Sequence, residues 1–500
     1  MCRHSYRHIS VSWLFLLFTL SLNAQLFDSL VFKAGLEWRL SSQDHQPLWL
    51  VANRHGTVAD RQTDLVPFVR VTNKHVLASS ESQNEIGLYD YDDLTFSYGL
   101  SIYNNDHFRS TFIEEGYAKL EYKNWSLRAG RFEEVPGEVD KDLSSGSLGV
   151  SGNALPIPKV GIAVTDYTNV PFTNGWLQFK GSFAHGWMGD NRYIKNSYYH
   201  EATFFVRVGA RALKVYLGAE HFAEWGGARG TEQLNKGLNS FWDAVLVKEV
   251  NTPTPEDGSH GGDHRGVIDG GVYWENNNLS LRGYIQKPFE GKNDIGFGTM
   301  NGLAGISLSL KDKYTGLQKI VFEVINTTNI NKNIAGNKLE SYYNNSVYKT
   351  GWEYQNNIIG TPLFLNRVRG SNYFPGIKPF DWNAPDDSIP GNSNIINNRI
   401  FAIHMGMLYS IEGNLDSKTM LTYTKNMGSP VYGALFTPAK EQFYCLQQFS
   451  YDIDKYNLAI NAGLGFDFGQ LSHNDAIGIL VGLAWTIPVH QITGNAFNRN

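Results

Sequence analysis

Between Arg369 and Asn398 the chain gathers side chains suited to sugars. Arg369, Asn372, Tyr373, Phe380, Asp381, Trp382, Asn383 and Asp386 fall within one stretch that also carries prolines at 375, 379, 385 and 390. Sugar rings present C–H faces that stack on aromatic planes, and their hydroxyls need planar amide or carboxylate partners. Tyr373, Phe380 and Trp382 would supply the planes, while Arg369 and Asp381 would orient hydroxyl or acidic groups. Weak contacts repeated along a polymer would add by multivalency. A plainer use of the same residues is to fold the loop onto itself or to plug a mouth.

Other chemistry is poorly provided for. There is no Gly-x-Ser-x-Gly elbow, phosphate loop, Cys-x-x-Cys or His-Glu-x-x-His. Glu220 and His221 are neighbours, so on a strand they point to opposite faces and make a poor acid–base pair. His260, Asp263 and His264 lie in the glycine-rich run Gly258–Gly266. Three ligands without a fixed fourth are a weak metal pattern, and a polar loop is the simpler reading. Glu114-Glu115, Glu133-Glu134 and Asp386-Asp387 read as solvated charge. The expectation is a non-enzymatic chain with no cofactor and no metal.

The elements that must position the sugar-like stretch are strands. In Asn457–Phe468, Leu458, Ile460, Ala462, Leu464, Phe466 and Phe468 alternate with small or polar residues. The pattern returns in Ala476–Trp485, in Thr95–Ile102 and in Leu279–Gln286. Period two places the two sets on opposite faces of each strand. Further strand-like segments are Val31–Leu40, Tyr117–Lys123, Trp125–Phe132, Trp176–His185, Glu201–Ala210, Leu213–Phe222 and Ile320–Asn326. Leu234, Leu238, Phe241, Trp242, Val245 and Leu246 instead recur at helical spacing. They predict a short amphipathic helix in a lumen or across a mouth.

Export explains the rest. Met1–His8 carries Arg3 and Arg7, Val11–Leu22 is a short apolar run, and Leu22-Asn23-Ala24 offers a cleavage site before Gln25. Residues 1–24 therefore read as a cleaved signal peptide and 25–500 as one domain. No later run reaches the roughly 18 apolar residues of a membrane helix. Hydrophobic content of 42% with 13% aromatics and 50 glycines suits a sheet with one face to lipid and one to a polar lumen. The fold class expected is all-β, a transmembrane antiparallel β-barrel of about 16 to 20 strands with a short helical insertion. It would sit in the outer membrane of a Gram-negative envelope, in contact with outer-membrane lipid, inserted by the barrel-assembly machinery. The net charge of -5 and the lack of a basic stripe argue against nucleic acid. Cys445 would be a wall residue.

Turn lengths fix an orientation, because bacterial barrels keep short turns in the periplasm. Asp454–Lys455 and Glu412-Gly413-Asn414 fall inside, while Lys425–Gln442, Arg369–Asn398 and Ser472–Asp475 fall outside. Upstream, Ile330–Asn345 is long where a short turn is due, which predicts one further strand.

Several strings resemble the capsule-assembly Wzi-like outer-membrane proteins. They run in order from Pro47-Leu48-Trp49-Leu50 with Asn53-Arg54, through Ala129-Gly130-Arg131, Leu143-Ser144-Ser145-Gly146 and Ser151-Gly152-Asn153-Ala154. Phe183-Ala184-His185-Gly186-Trp187, Glu220-His221, Gly262-Asp263-His264-Arg265-Gly266, Tyr342-Tyr343-Asn344-Asn345, Gly351-Trp352, Gly360-Thr361-Pro362 and Asn398-Arg399 follow. The resemblance implies a barrel of about 18 strands that holds capsular or surface polysaccharide as a lectin. It supplies no residue-level sugar contacts. A porin or solute channel would share the barrel features, and a barrel hydrolase acting on lipid or glycan is a further alternative.

Overall fold

The computed structural model describes residues 29–83, 89–210, 212–248, 261–290, 301–311, 315–330, 341–412 and 414–488. The predicted signal peptide lies outside these residues. Eighteen strands close one antiparallel ring. In chain order they begin with β1 (Val31–Ser41), β2 (Thr63–Gln83), β3 (Tyr89–Asn105), β4 (Ser110–Tyr122), β5 (Trp125–Arg131) and β6 (Lys159–Asn169). Then come β7 (Leu177–Trp187), β8 (Tyr198–Ala210), β9 (Leu213–Trp225), β10 (Asp263–Glu275), β11 (Leu279–Phe289) and β12 (Gly302–Leu310). The ring ends with β13 (Gly316–Asn326), β14 (Ile400–Glu412), β15 (Leu415–Asn426), β16 (Lys440–Ile453), β17 (Leu458–Gly469) and β18 (Ala476–Pro488). Each strand pairs with its sequence neighbours, and the seam closes where β1 pairs both β2 and β18. Closure gives every strand a partner on each side, which is what a bilayer without water demands of a sheet.

The alternation read in β17 and β18 is the lipid–lumen alternation of the wall. Leu464, Phe468, Ile477, Ile479, Val481, Leu483 and Trp485 are exposed outward, whereas Asp467 is buried and accepts from the Leu48 N–H in the lumen. Connections alternate too, with short exceptions at 106–109 and 470–475 on the long-loop end. Residues 42–62, 132–158, 188–197, 226–262, 327–399 and 427–439 all leave one end; 123–124, 276–278 and 454–457 turn at the other. The short-turn rule makes the long-loop end external.

Ile330–Asn345 and Arg369–Asn398 belong to a single excursion between β13 and β14, and no membrane strand separates them among the described residues. The predicted extra strand is therefore corrected, and the apparent break in parity disappears with it. Asp263 and His264 begin β10 and are not in a loop; His260 lies outside the described residues. The paired carboxylates also depart from expectation. Glu114 and Glu115 are buried around Arg70, whose Nη2 stands 3.2 and 3.6 Å from them and 2.9 Å from Glu133.

Segments of the chain itself occupy the lumen, leaving a cavity of 540 Å³ between residues 133–142 and the luminal side chains of β5 to β13. Segment 132–158 enters it and bonds to luminal side chains of the wall. Glu323 of β13 accepts from Ser144 Oγ and the Ser145 N–H, each at 2.7 Å, and His404 of β14 lies 2.7 Å from the Leu143 carbonyl. From the far side, the 327–399 excursion closes over this segment. Trp352 Nε1 donates to Gly149 O at 2.8 Å, Tyr343 Oη to Leu148 O at 2.6 Å, and Asn153 Nδ2 to Ile358 O at 2.8 Å. These bonds satisfy loop backbone that burial would otherwise leave unpaired. Helix α1 (Leu48–Val51) lies against β17 and β18, where wall glycines make room: a methyl on Gly478 would stand 2.6 Å from Leu50 Cδ1.

Helix α2 (Leu238–Val245) forms where the spacing predicted it. It occupies neither the lumen nor a mouth. Phe241 packs on His185, His200 and Trp225, which are side chains of the outer wall. Helix α3 (Arg367–Tyr373) belongs to the external excursion and is capped by Asn366, whose side chain accepts from the Arg369 N–H.

Candidate functional site

At the external mouth a cavity of 510 Å³ lies between loop 52–61, the tips of β3 and β4, the end of the luminal segment, a hairpin tip at 355–357 and α3. Its polar lining comprises Asp60, Arg61, Asn105, Asp106, Gln355, Asn356, Asn357, Arg369 and Asn372; Val51, Phe112, Leu155 and Phe364 supply apolar surface. The hairpin pairs Glu353–Tyr354 with Asn357–Ile358, and Gln355 and Asn356 turn it at positive φ. An amide residue accepts that backbone more readily than most.

Arg369 is the organising charge. Its Nη1 donates to Asp60 Oδ2 at 2.9 Å and its Nη2 to the Gln46 carbonyl at 3.1 Å. Asn372 Nδ2 donates to the same Asp60 oxygen at 3.1 Å, and the Gln46 N–H donates to Asp60 Oδ1 at 2.8 Å. Burial works most strongly against the guanidinium charge, but Asp60, Tyr373 and Asp467 together outweigh it and hold the group above its usual range. Nearby, burial and then Arg369 push His45 down to about 4. Arg61 is largely exposed, with only a 3.5 Å approach to Asp106. Both lining carboxylates thus face an arginine. Asn105, Asn357 and Asn372 each donate to a protein oxygen through Nδ2, which leaves their Oδ1 atoms and Asn356 to meet a ligand.

The residues singled out by sequence divide into two groups. Arg369 lines the cavity, but Tyr373 is buried beneath it in an apolar cluster with Leu365, Ile377, Ile396, Phe436 and Leu471. Trp382 is buried elsewhere with Tyr193, Ile194, Tyr348 and Ile389, and its carbonyl accepts from Arg229. Phe380 is half-buried, 5.6 Å from the Trp382 ring and 4.0 Å from the Arg367 guanidinium. Asp381 is exposed and caps a turn through the Asn383 N–H at 2.9 Å. The cavity residues from 60–61, 105–106 and 355–357 were not singled out. The amide run Gln355-Asn356-Asn357 was the available signal.

The Glu114, Glu115 and Glu133 oxygens converge closely enough for a cation. Arg70 already supplies a positive charge at that centre.

Residues 59–365 match the family described as capsule assembly protein Wzi. That is more than half of the chain. The chain belongs to the Wzi family. The Escherichia coli member of known structure is described as an outer membrane protein involved in group 1 capsule assembly and as a carbohydrate binding β-barrel. It is 15% identical over 93% of this chain and 86% of its own, with a TM-score of 0.55. Pseudomonas aeruginosa OpdL is 10% identical over 92% and 98%, with a TM-score of 0.45. No curated protein matches the sequence. Like its Wzi relative, the chain is an outer-membrane barrel.

Proposed function

We propose that this Wzi-family barrel retains capsular or other surface polysaccharide at its external face, and that it acts by binding and not by catalysis. The observation that carries the reading is the amide-rich external cavity held over a lumen occupied by the chain's own segments. The E. coli relative's description as carbohydrate binding supports it. In this reading Arg61, Asn356 and Asn372 meet sugar hydroxyls, and Arg369 fixes the floor beneath them. Phe380 and Asp381 extend the contact surface along the rim, while Tyr373 and Trp382 hold the loop that carries it. Export by a signal peptide cleaved after Ala24, insertion by the barrel-assembly machinery and contact with outer-membrane lipid complete the proposal.

The test compares cell-bound with released polymer in a strain carrying Arg61→Ala with Asn372→Ala. Both changes remove polar atoms from the cavity without touching a strand. Polymer should appear in the medium while the barrel inserts at parental abundance and keeps its heat-modifiable mobility. Unchanged retention by the inserted variant would remove the cavity as the glycan site.

A further inference from the structure

One patch of the outer wall breaks the apolar rule. Strand register sets His185 of β7, His200 of β8, Ala223 of β9 and His264 of β10 in one row across four strands. His221 lies one pleat nearer the short-turn end. Alternation turns these histidines away from their luminal neighbours: Glu220 faces Gly137 of the luminal segment, and Arg265 lies over Trp352. They therefore point outward, on the side where Phe183, Trp187, Phe204 and Leu217 are exposed. Imidazoles on a lipid-facing wall lose their water, a costly arrangement.

Helix α2 covers that patch. The Phe241 ring lies 5.7 Å from His185, 6.4 Å from His200 and 6.4 Å from Phe183. Ala244, Ala223 and His200 are all fully buried where the helix and wall meet. His221 and His264 stack on each other, Nε2 to Nδ1 at 3.1 Å. Having covered a polar patch, the helix presents a new surface of its own. At about 100° per residue, its positions fall into three sectors. Phe241 and Ala244 face the wall; Leu238, Trp242 and Leu246 form an exposed stripe, which Asn239 borders next to Leu246; Asp243 and Ser240 lie beyond it.

We propose that α2 is an interfacial membrane helix, with Leu238, Trp242 and Leu246 seated among the acyl chains of the outer leaflet. Three observations carry it. The apolar stripe is continuous with the lipid-facing wall on which the helix rests. The helix contacts Trp225, at the external end of its strand, which is the level of an aromatic girdle. Asp243 and Ser240 lie about 100° and 160° round the helix from Trp242, so the polar side turns away from the centre of the stripe, as an amphipathic helix lying in an interface requires. The occupant is lipid of the same leaflet that surrounds the barrel.

The experiment uses the full barrel, in a Cys445→Ser background, reconstituted in phosphatidylcholine vesicles. Nitroxide labels are placed singly at Leu238→Cys, Trp242→Cys, Leu246→Cys and, as the polar control, Asp243→Cys. Folding of each is checked by heat-modifiable mobility. Labels at the first three should collide several-fold more often with oxygen than with a water-soluble nickel chelate, and the label at 243 should show the reverse preference. Preference for the nickel chelate at all four positions would overturn the proposal. So would dipolar broadening that disappears on dilution with unlabelled barrel, because a second copy would then cover the stripe. Neither result depends on polysaccharide, so this inference fails or stands apart from the proposed function.

Discussion

At the mouth, one guanidinium joins backbone segments that lie far apart in sequence. Arg369 reaches the Gln46 carbonyl and Asp60, and His45 beside them meets the Tyr373 ring edge-on at 5.1 Å. His45 is neutral in this packing, since burial and the Arg369 charge push it down to about 4 from 6.5. When the mouth loosens, the imidazole returns towards 6.5 and binds a proton more readily. Loosening therefore takes up a proton between these values, so the closed arrangement is fully stable above about 6.5 and loses stability as the pH falls towards 4. Amide exchange of residues 367–373, corrected for intrinsic rates, should show less protection at pH 5 than at pH 7. His45→Phe keeps an aromatic edge against Tyr373 and should abolish the difference. Equal protection in the parent at both pH values would contradict this account. None of this was visible in the sequence, where Arg369 and Tyr373 looked like a sugar-contact pair. Composition shows which side chains could meet a sugar; only packing shows that Tyr373 spends its ring on Ile396 and Phe436.

Strands are where one-dimensional reading reaches furthest. In β17 each outward residue is apolar and each inward one small or polar, because two different solvents flank a single layer. Leu464 and Asn461 should accordingly respond in opposite ways to the same change. Leu464→Arg places a charge against lipid near the middle of β17, a cost of roughly 2–4 kcal/mol, whereas Asn461→Arg points into the lumen and should cost far less. Assembled barrel, counted by heat-modifiable mobility, should fall sharply for the first variant only; equal yields would mean that β17 does not face lipid. Elsewhere the same reading was blunter. β10 begins inside a glycine-rich run, and its outward set opens with His264 and Gly266, so the apolar signal appears only further along, at Ile268, Val272 and Trp274. The helix itself was legible from its spacing. Its place was not, since a period reports that one face is buried and says nothing of what buries it. The luminal segment 132–158 was illegible for a related reason: its order comes from bonds to Glu323, Gln286 and Trp352, all distant in sequence.

For the whole molecule, orientation decides which surface a capsule could meet. Long connections leave one end, and a peptide tag inserted beside Asp386 should bind antibody on intact cells. The same tag at Lys455, in a short turn, should bind only after the outer membrane is opened. The inverse pattern would turn the cavity towards the periplasm and end its claim to a surface polymer.

The seam between β1 and β18 sets an order of events as well as a shape. The first strand of the wall must wait for the last before its second edge is paired. Segments 132–158 and 327–399 both emerge before β18, so the material that occupies the lumen is present while the wall is still an open sheet. Filling can then precede closing. A barrel built this way never has to thread a loop through a finished ring: closure by the final strand locks in contents already in place. A chain rearranged to open between β9 and β10, with its old ends joined, would meet the same contacts in a different sequence in time. Segment 327–399 would then emerge before the old seam strands and before 132–158, so the two halves of the luminal packing would be laid down in the reverse order.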